Sequence, residues 1–229
     1  IALTDCLNYG NPEKPDVFFD FEQGVNGIRD AANKLSFDAV DPVPIISGNV
    51  SFYNESKQGN KVISSPVICA IGKVNDIKKI KTMQLFKQDL DLFFIGKRYS
   101  DFGGTQIEPY LTQKNYCAPQ VRFSEELNQN KAVLDLYDQN LVESCHDISA
   151  GGLWICLVEM ILGERGKPFV GINLDLSKSN DVITDMFSEN GGFVIATQSF
   201  KDCQKFLDQQ NVMYQYLGKT VEEKKVLLN

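Results

Sequence analysis

Short apolar runs that stop at glycine or at small polar residues recur along this chain, and segments of helical periodicity lie between several of them. The runs fall at residues 44–46, 63–74, 90–96, 170–176 and 193–197. Bounded by turn formers and this short, they read as strands. Helical spacing is plainest in Phe18, Phe21, Val25, Ile28, Ala32 and Leu35, three or four apart behind Pro15, and predicts a helix from about Pro15 to Leu35. Gly24 and Gly27 interrupt that pattern at about 1 kcal/mol each relative to Ala, which points to close packing there. Ser124 caps a second expected helix, to about Asn140, with Leu127, Val133, Leu134 and Tyr137 inward. Ser199 precedes another, carrying Phe200, Cys203, Phe206 and Leu207. Strands alternating with helices predict a mixed α/β layer structure.

The charged stretch NDIKKIK at residues 75–81 breaks the pattern and predicts two domains, residues 1–76 and residues 77–229. A net charge of −7 argues against a nucleic-acid binder, since affinity for a phosphate backbone comes from clustered Lys and Arg. No apolar run approaches the roughly 20 residues that span a bilayer, and no basic-then-apolar leader opens the chain, so a soluble, cytoplasmic protein is expected. Six cysteines form no C-x-x-C pair, and Cys69, Cys145 and Cys156 lie in or beside apolar runs, as small buried hydrophobes do in a reducing compartment. His146 is the sole histidine, which excludes multi-histidine zinc sites. The chain starts at Ile1 without an initiator methionine and is expected to be a piece of a longer polypeptide.

Four stretches carry candidate chemistry. In Pro44–Glu55, PIISGNVSFYNE, an apolar strand ends in Gly48, Asn49 and Ser51. A glycine that admits a ligand to the main chain, an amide oxygen and a hydroxyl together suit a polyanion with a hard cation; an ordinary Gly-Asn turn is the plainer alternative. Asp5 follows the apolar Ile1-Ala2-Leu3, and a carboxylate at a strand's end is either a ligand position or a turn-forming side chain. The loop Asp101–Gln106, DFGGTQ, caps a helix or cradles a phosphate. In HDISAGG at 146–152 a strand-to-helix turn offers backbone N–H groups to an anion, unless the glycines serve only tight packing.

TDCLNYGNPEKP at 4–15, SGNVSFYNE at 47–55, GGTQ at 103–106, HDISAGGL at 146–153 and MFSENGGFVIAT at 186–197 together resemble, in order and spacing, the large subunit of phosphoribosylformylglycinamidine synthase, the PurL type, within the aminoimidazole ribonucleotide synthetase-like superfamily. The resemblance covers nearly the whole chain and falls on the family's carboxy-terminal half. It implies an ATP-dependent amidoligase of purine biosynthesis, in which ATP activates the amide oxygen of formylglycinamide ribonucleotide and ammonia from glutamine displaces the phosphate. By position it implies that Asp5 and Gly48 contact ATP, that Asn49 ligates Mg2+ and that Ser51 touches the ribonucleotide. The family's catalytic histidines lie in an amino-terminal half outside this sequence, so no catalytic residue is assigned here.

The resemblance further implies an α/β fold, with a partial ferredoxin-like sheet first and an α/β sandwich with a mixed sheet after it. Its implied partners are the missing amino-terminal half, a glutaminase subunit and a small accessory subunit, with homodimerisation through the exposed sheet as a further option. The chain departs from the family in Ala150, where many members carry an acid, and in a longer connection around Phe37–Pro42. The alternative function is a non-catalytic assembly half with a degenerate nucleotide site. GNPEKP and GNVSFYNE argue against a related kinase or synthetase.

Overall fold

The computed structural model describes residues 2–38, 40–112, 116–163, 168–177 and 179–229. Two compact units divide at Asn75 and Asp76.

The first unit is a three-stranded sheet backed by one long helix. Strand β1 (Ala2–Asn8) lies between β2 (Ile45–Ser51), to which it is parallel, and β3 (Ser65–Ile71), to which it is antiparallel. Helix α1 (Pro15–Lys34) makes the crossover that a parallel β1–β2 pair requires. Its buried stripe is not the expected one. Val17 and Ala32 are buried, Phe21 and Ile28 pack against the cluster of Leu7, Tyr9 and Val17, and Phe18 and Val25 are 55% and 41% exposed. The stripe therefore runs 17, 21, 24, 28 and 32, with Gly24 at its middle. A Cβ at Gly24 would strike the Tyr9 hydroxyl, so glycine there is the condition for seating Tyr9 under the helix, whereas Gly27 faces open space. Tyr9 also meets Phe21 edge-on at 5.4 Å, and Phe52 closes the aromatic cluster 5.1 Å from Phe21.

Two strand expectations change in the structure. The strand begun at Ala2 continues to Asn8, so Asp5 sits within a strand and not at its end. Likewise β2 runs through Gly48 and Asn49 to Ser51, so no turn forms there. Ile45 and Ile46, whose apolar character suits a buried strand, are instead 44% and 64% exposed on the edge strand β2.

The second unit is a six-stranded sheet in the order β5-β7-β4-β8-β6-β9, comprising β4 (Asp91–Ile95), β5 (Ser144–Asp147), β6 (Gly171–Leu174), β7 (Phe193–Thr197), β8 (Tyr214–Val221) and β9 (Val226–Leu228). Pairing is antiparallel except between β6 and β9. Helices α2 (Phe123–Asp138) and α5 (Phe200–Gln210) contribute to a core with Phe93 and Ile95 on one face. On the other, α3 (Gly152–Leu162) and the short α4 (Val182–Phe187) pack over Leu92 and Phe94. Alternate residues of β4 thus enter opposite cores, which is why Leu92–Ile95 is an unbroken apolar run. Helix α2 starts at Phe123 and makes no side-chain cap bond; Ser124 lies inside it, and Leu134 is 49% exposed while Val133 and Leu136 are buried. No helix among the described residues is long and apolar enough to cross a membrane.

Candidate functional site

Register decides what the first sheet presents. Thr4 pairs with Ser47, Asp5 with Gly48, Cys6 with Asn49 and Asn8 with Ser51. Leu3, however, pairs with Ile45, so Ile46 is an extra residue on β2. A one-residue offset moves every later side chain to the other face of a sheet. Beyond the bulge, Ser47, Asn49 and Ser51 share a face with Thr4, Cys6 and Asn8, and across β3 with Ser65, Val67 and Cys69. Leu3, Asp5 and Leu7 take the other side, toward α1.

The structure therefore brings Asp5 to Gly48 and sets Asn49 and Ser51 on the opposite face. Asp5 leans over Gly48, where any Cβ would collide with its carboxylate. Gly48 keeps strand dihedrals, so close approach and not unusual backbone geometry requires the glycine. The Asp5 carboxylate forms no hydrogen bond or ion pair with any described residue. It borders a cleft of about 320 Å³ whose walls include Val25, Ile28, Arg29, Pro44 and Ile45. On the open face the Cys6 thiol donates to Asn49 Oδ1 at 3.4 Å and accepts from Asn8 Nδ2 at 3.5 Å. Ser51 Oγ donates to Asn54 Oδ1 at 3.3 Å.

The two motifs expected to flank the site are stitched together. Tyr9 N donates to Ser51 O and Tyr53 N to Gly10 O, each at 2.9 Å. Asn54 Nδ2 donates to Tyr9 O at 3.1 Å and to Ser51 O at 2.9 Å, closing the end of β2. Lys14 Nζ lies 2.6 Å from Glu55 Oε1, and its hydrogen bond holds that carboxyl below the usual carboxylate range. Tyr53 sits at φ 57°, a left-handed conformation that costs a non-glycine residue about 1 kcal/mol or more. Cys6, Asn8, Asn54 and the Lys14–Glu55 pair escape a reading by composition. Their signal lies in register, which a one-residue bulge conceals.

The glycine-bearing stretches of the second unit are satisfied internally. Glu189 Oε1 accepts from Gly151 N at 2.8 Å and from Gln106 N at 2.9 Å, so a side-chain carboxylate occupies the position offered to an anion at the start of α3. Gly104 N donates to Glu108, and Asp101 accepts from Arg122 at 2.9 Å and Asn190 at 3.3 Å. The 101–106 loop neither caps an α-helix nor keeps these amides free. His146 lies on β5 between two carboxylates, Asp147 at 3.1 Å and Glu159 at 3.0 Å. All six cysteines are free thiols; Cys156 and Cys203 are buried, whereas Cys69 and Cys117 are exposed. No cluster of three or more His, Cys, Asp or Glu able to hold a metal occurs among the described residues.

Both sheets, with helices on one face of the first and both faces of the second, define a mixed α/β protein built from two sheet units. Residues 114–228 match the family AIR synthase related protein, C-terminal domain, and the chain belongs to that family. It is 41% identical over 202 residues to phosphoribosylformylglycinamidine synthase subunit PurL of Methanothrix thermoacetophila, covering 85% of this chain and 25% of the relative. The chain thus spans about a quarter of that relative's length. The whole chain is similar in fold to the PurLQS structure from Thermotoga maritima, with TM-score 0.69 at 14% identity over 35% of that chain. It also resembles T. maritima PurL complexed with ATP, with TM-score 0.65 at 15% identity, again covering all of this chain and 35% of the other.

Proposed function

We propose that the chain is part of the carboxy-terminal half of a PurL-type, ATP-dependent amidoligase that converts formylglycinamide ribonucleotide and ammonia to the formylglycinamidine. The observation that carries this reading is the pairing of Asp5 with Gly48 and of Cys6 with Asn49, which concentrates the family's distinctive residues on two adjacent strands. The similarity to a curated PurL supports it, as does the likeness in fold to a PurL complexed with ATP.

In this reading ATP wraps the free edge of β2. The bare Cα of Gly48 lets the nucleotide approach the main chain, and the Asp5 carboxylate, which pairs with no described residue, accepts from an amino group of the base in the adjoining cleft. Asn49 contributes one oxygen to a magnesium ion. The three strands place no carboxylate on the open face, and this donor set fits an ion that keeps waters and phosphate oxygens as its other ligands. Bound magnesium neutralises charge on the transferring phosphoryl group. Ser51 touches the ribonucleotide, and the Asn54 bond aims its hydroxyl. The remaining half of the pocket, the glutaminase and a small accessory subunit come from outside this chain, in the cytoplasm.

The test is amidation of formylglycinamide ribonucleotide with ammonium as nitrogen source. The complete polypeptide turns substrate over, Ser51→Ala raises KM for the ribonucleotide about tenfold or more, and the 229-residue chain alone is inactive. Turnover by the 229-residue chain alone, or an unchanged KM in Ser51→Ala, overturns the reading.

A further inference from the structure

Asn49 is exposed at an edge strand, where an amide side chain samples several rotamers unless something holds it. Across the register, Cys6 holds it. The thiol donates to Asn49 Oδ1 at 3.4 Å, while Asn8 Nδ2 donates to the same sulfur at 3.5 Å and to Cys6 O at 3.2 Å. Asn8 Nδ2 also reaches Ser65 O at 3.4 Å, which anchors the row on β3. The result is a row across all three strands in which Asn8, anchored on a β3 carbonyl, donates to the Cys6 thiol and the thiol donates to the oxygen of Asn49. An amide oxygen has two lone pairs, so a bond from the thiol fixes its direction and leaves one for a cation.

We propose that Cys6 is a positioning residue for magnesium, acting through Asn49; this rests on the reading of Asn49 as a metal ligand. Groups that orient a metal ligand typically contribute 10- to 100-fold in metal affinity. The row has one direction, because Asn8 can only donate from Nδ2 and the thiol then has its proton free for Asn49. Serine at this position keeps the donor at shorter reach, and alanine abolishes it.

The test uses the complete polypeptide and a nonhydrolysable ATP analogue, with binding followed as magnesium is titrated. Cys6→Ala raises the magnesium midpoint about tenfold and leaves analogue affinity without magnesium unchanged, and Cys6→Ser recovers most of the shift. Cys6→Ala/Asn49→Ala is no worse than Asn49→Ala alone. If Asn49→Ala raises the midpoint and Cys6→Ala does not, or if Ser and Ala at position 6 are equally impaired, Cys6 has no positioning role. If Asn49→Ala leaves the midpoint unchanged, the metal-ligand reading falls, and the Cys6 proposal falls with it.

Discussion

The carboxylate of Asp5 occupies the space that a side chain at Gly48 would need, across a parallel strand pair and on the side facing α1. A glycine in a strand interior costs stability, and here it makes room for a carboxylate that no described residue satisfies. Gly48→Ala is expected to destabilise the first unit by about 1–3 kcal/mol. Asp5→Ala combined with Gly48→Ala should recover most of that loss, because the collision is then gone. Urea unfolding of the four variants in a double-mutant cycle measures the coupling, and additive losses would show that the two side chains do not compete for one space.

Tyr9 is fully buried, and its hydroxyl has no hydrogen-bond partner among the described residues. Burial, with the negative charge of Asp20 adding to it, raises its pKa and keeps the phenol protonated. An unsatisfied buried hydroxyl costs about 1–3 kcal/mol. Tyr9→Phe is therefore expected to raise stability by about 1 kcal/mol, read as an increase in the denaturation midpoint without change in slope.

Glu189 ties two segments of the second unit through one oxygen atom, Gly151 N at 2.8 Å and Gln106 N at 2.9 Å. Removing its charge while keeping its shape weakens both bonds and the favourable interaction with the start of α3. Glu189→Gln should cost about 1 kcal/mol and speed hydrogen exchange at the amides of residues 106 and 151 together. Faster exchange at only one of them would show that Glu189 does not couple the two segments.

Asp101 supplies the pH dependence. Burial pushes its carboxyl up, but the bonds from Arg122, the Gln120 amide and Asn190 together outweigh it, and its pKa lies below the ordinary value. A carboxyl depressed in the folded state contributes stability above its unfolded pKa and loses it as pH falls through the folded one. Thermal unfolding should thus show the native protein losing more stability below about pH 4 than Asp101→Asn. At neutral pH the variant is the less stable of the two. Parallel acid profiles would remove Asp101 from the account.

The sequence reads unevenly, for physical reasons. β4 and β7 are legible because burial on both faces leaves unbroken apolar runs at Leu92–Ile95 and 193–196. β8 is not, although it is central, because its buried polar groups look exposed until their partners are known. Thr220 is fully buried yet accepts from Leu90 N and donates to Lys87 O, each at 2.8 Å, and the Tyr216 hydroxyl reaches Asp91 at 3.0 Å. β9 has three residues behind a charged turn, too few for any period to show. In the first unit, motif residues 5, 48, 49 and 51 could be picked out, but the face each takes could not. The bulge at Ile46 sets that face, and no residue type announces it.

The most direct measurement is the anomalous signal of manganese in crystals of the complete polypeptide grown with a nonhydrolysable ATP analogue. A peak is expected about 2.2 Å from Asn49 Oδ1, on the face shared with Cys6 and Ser51 and bridged to the analogue's phosphates. A peak on the side of the sheet facing α1, or a phosphate-bound ion that makes no contact with Asn49, would contradict it.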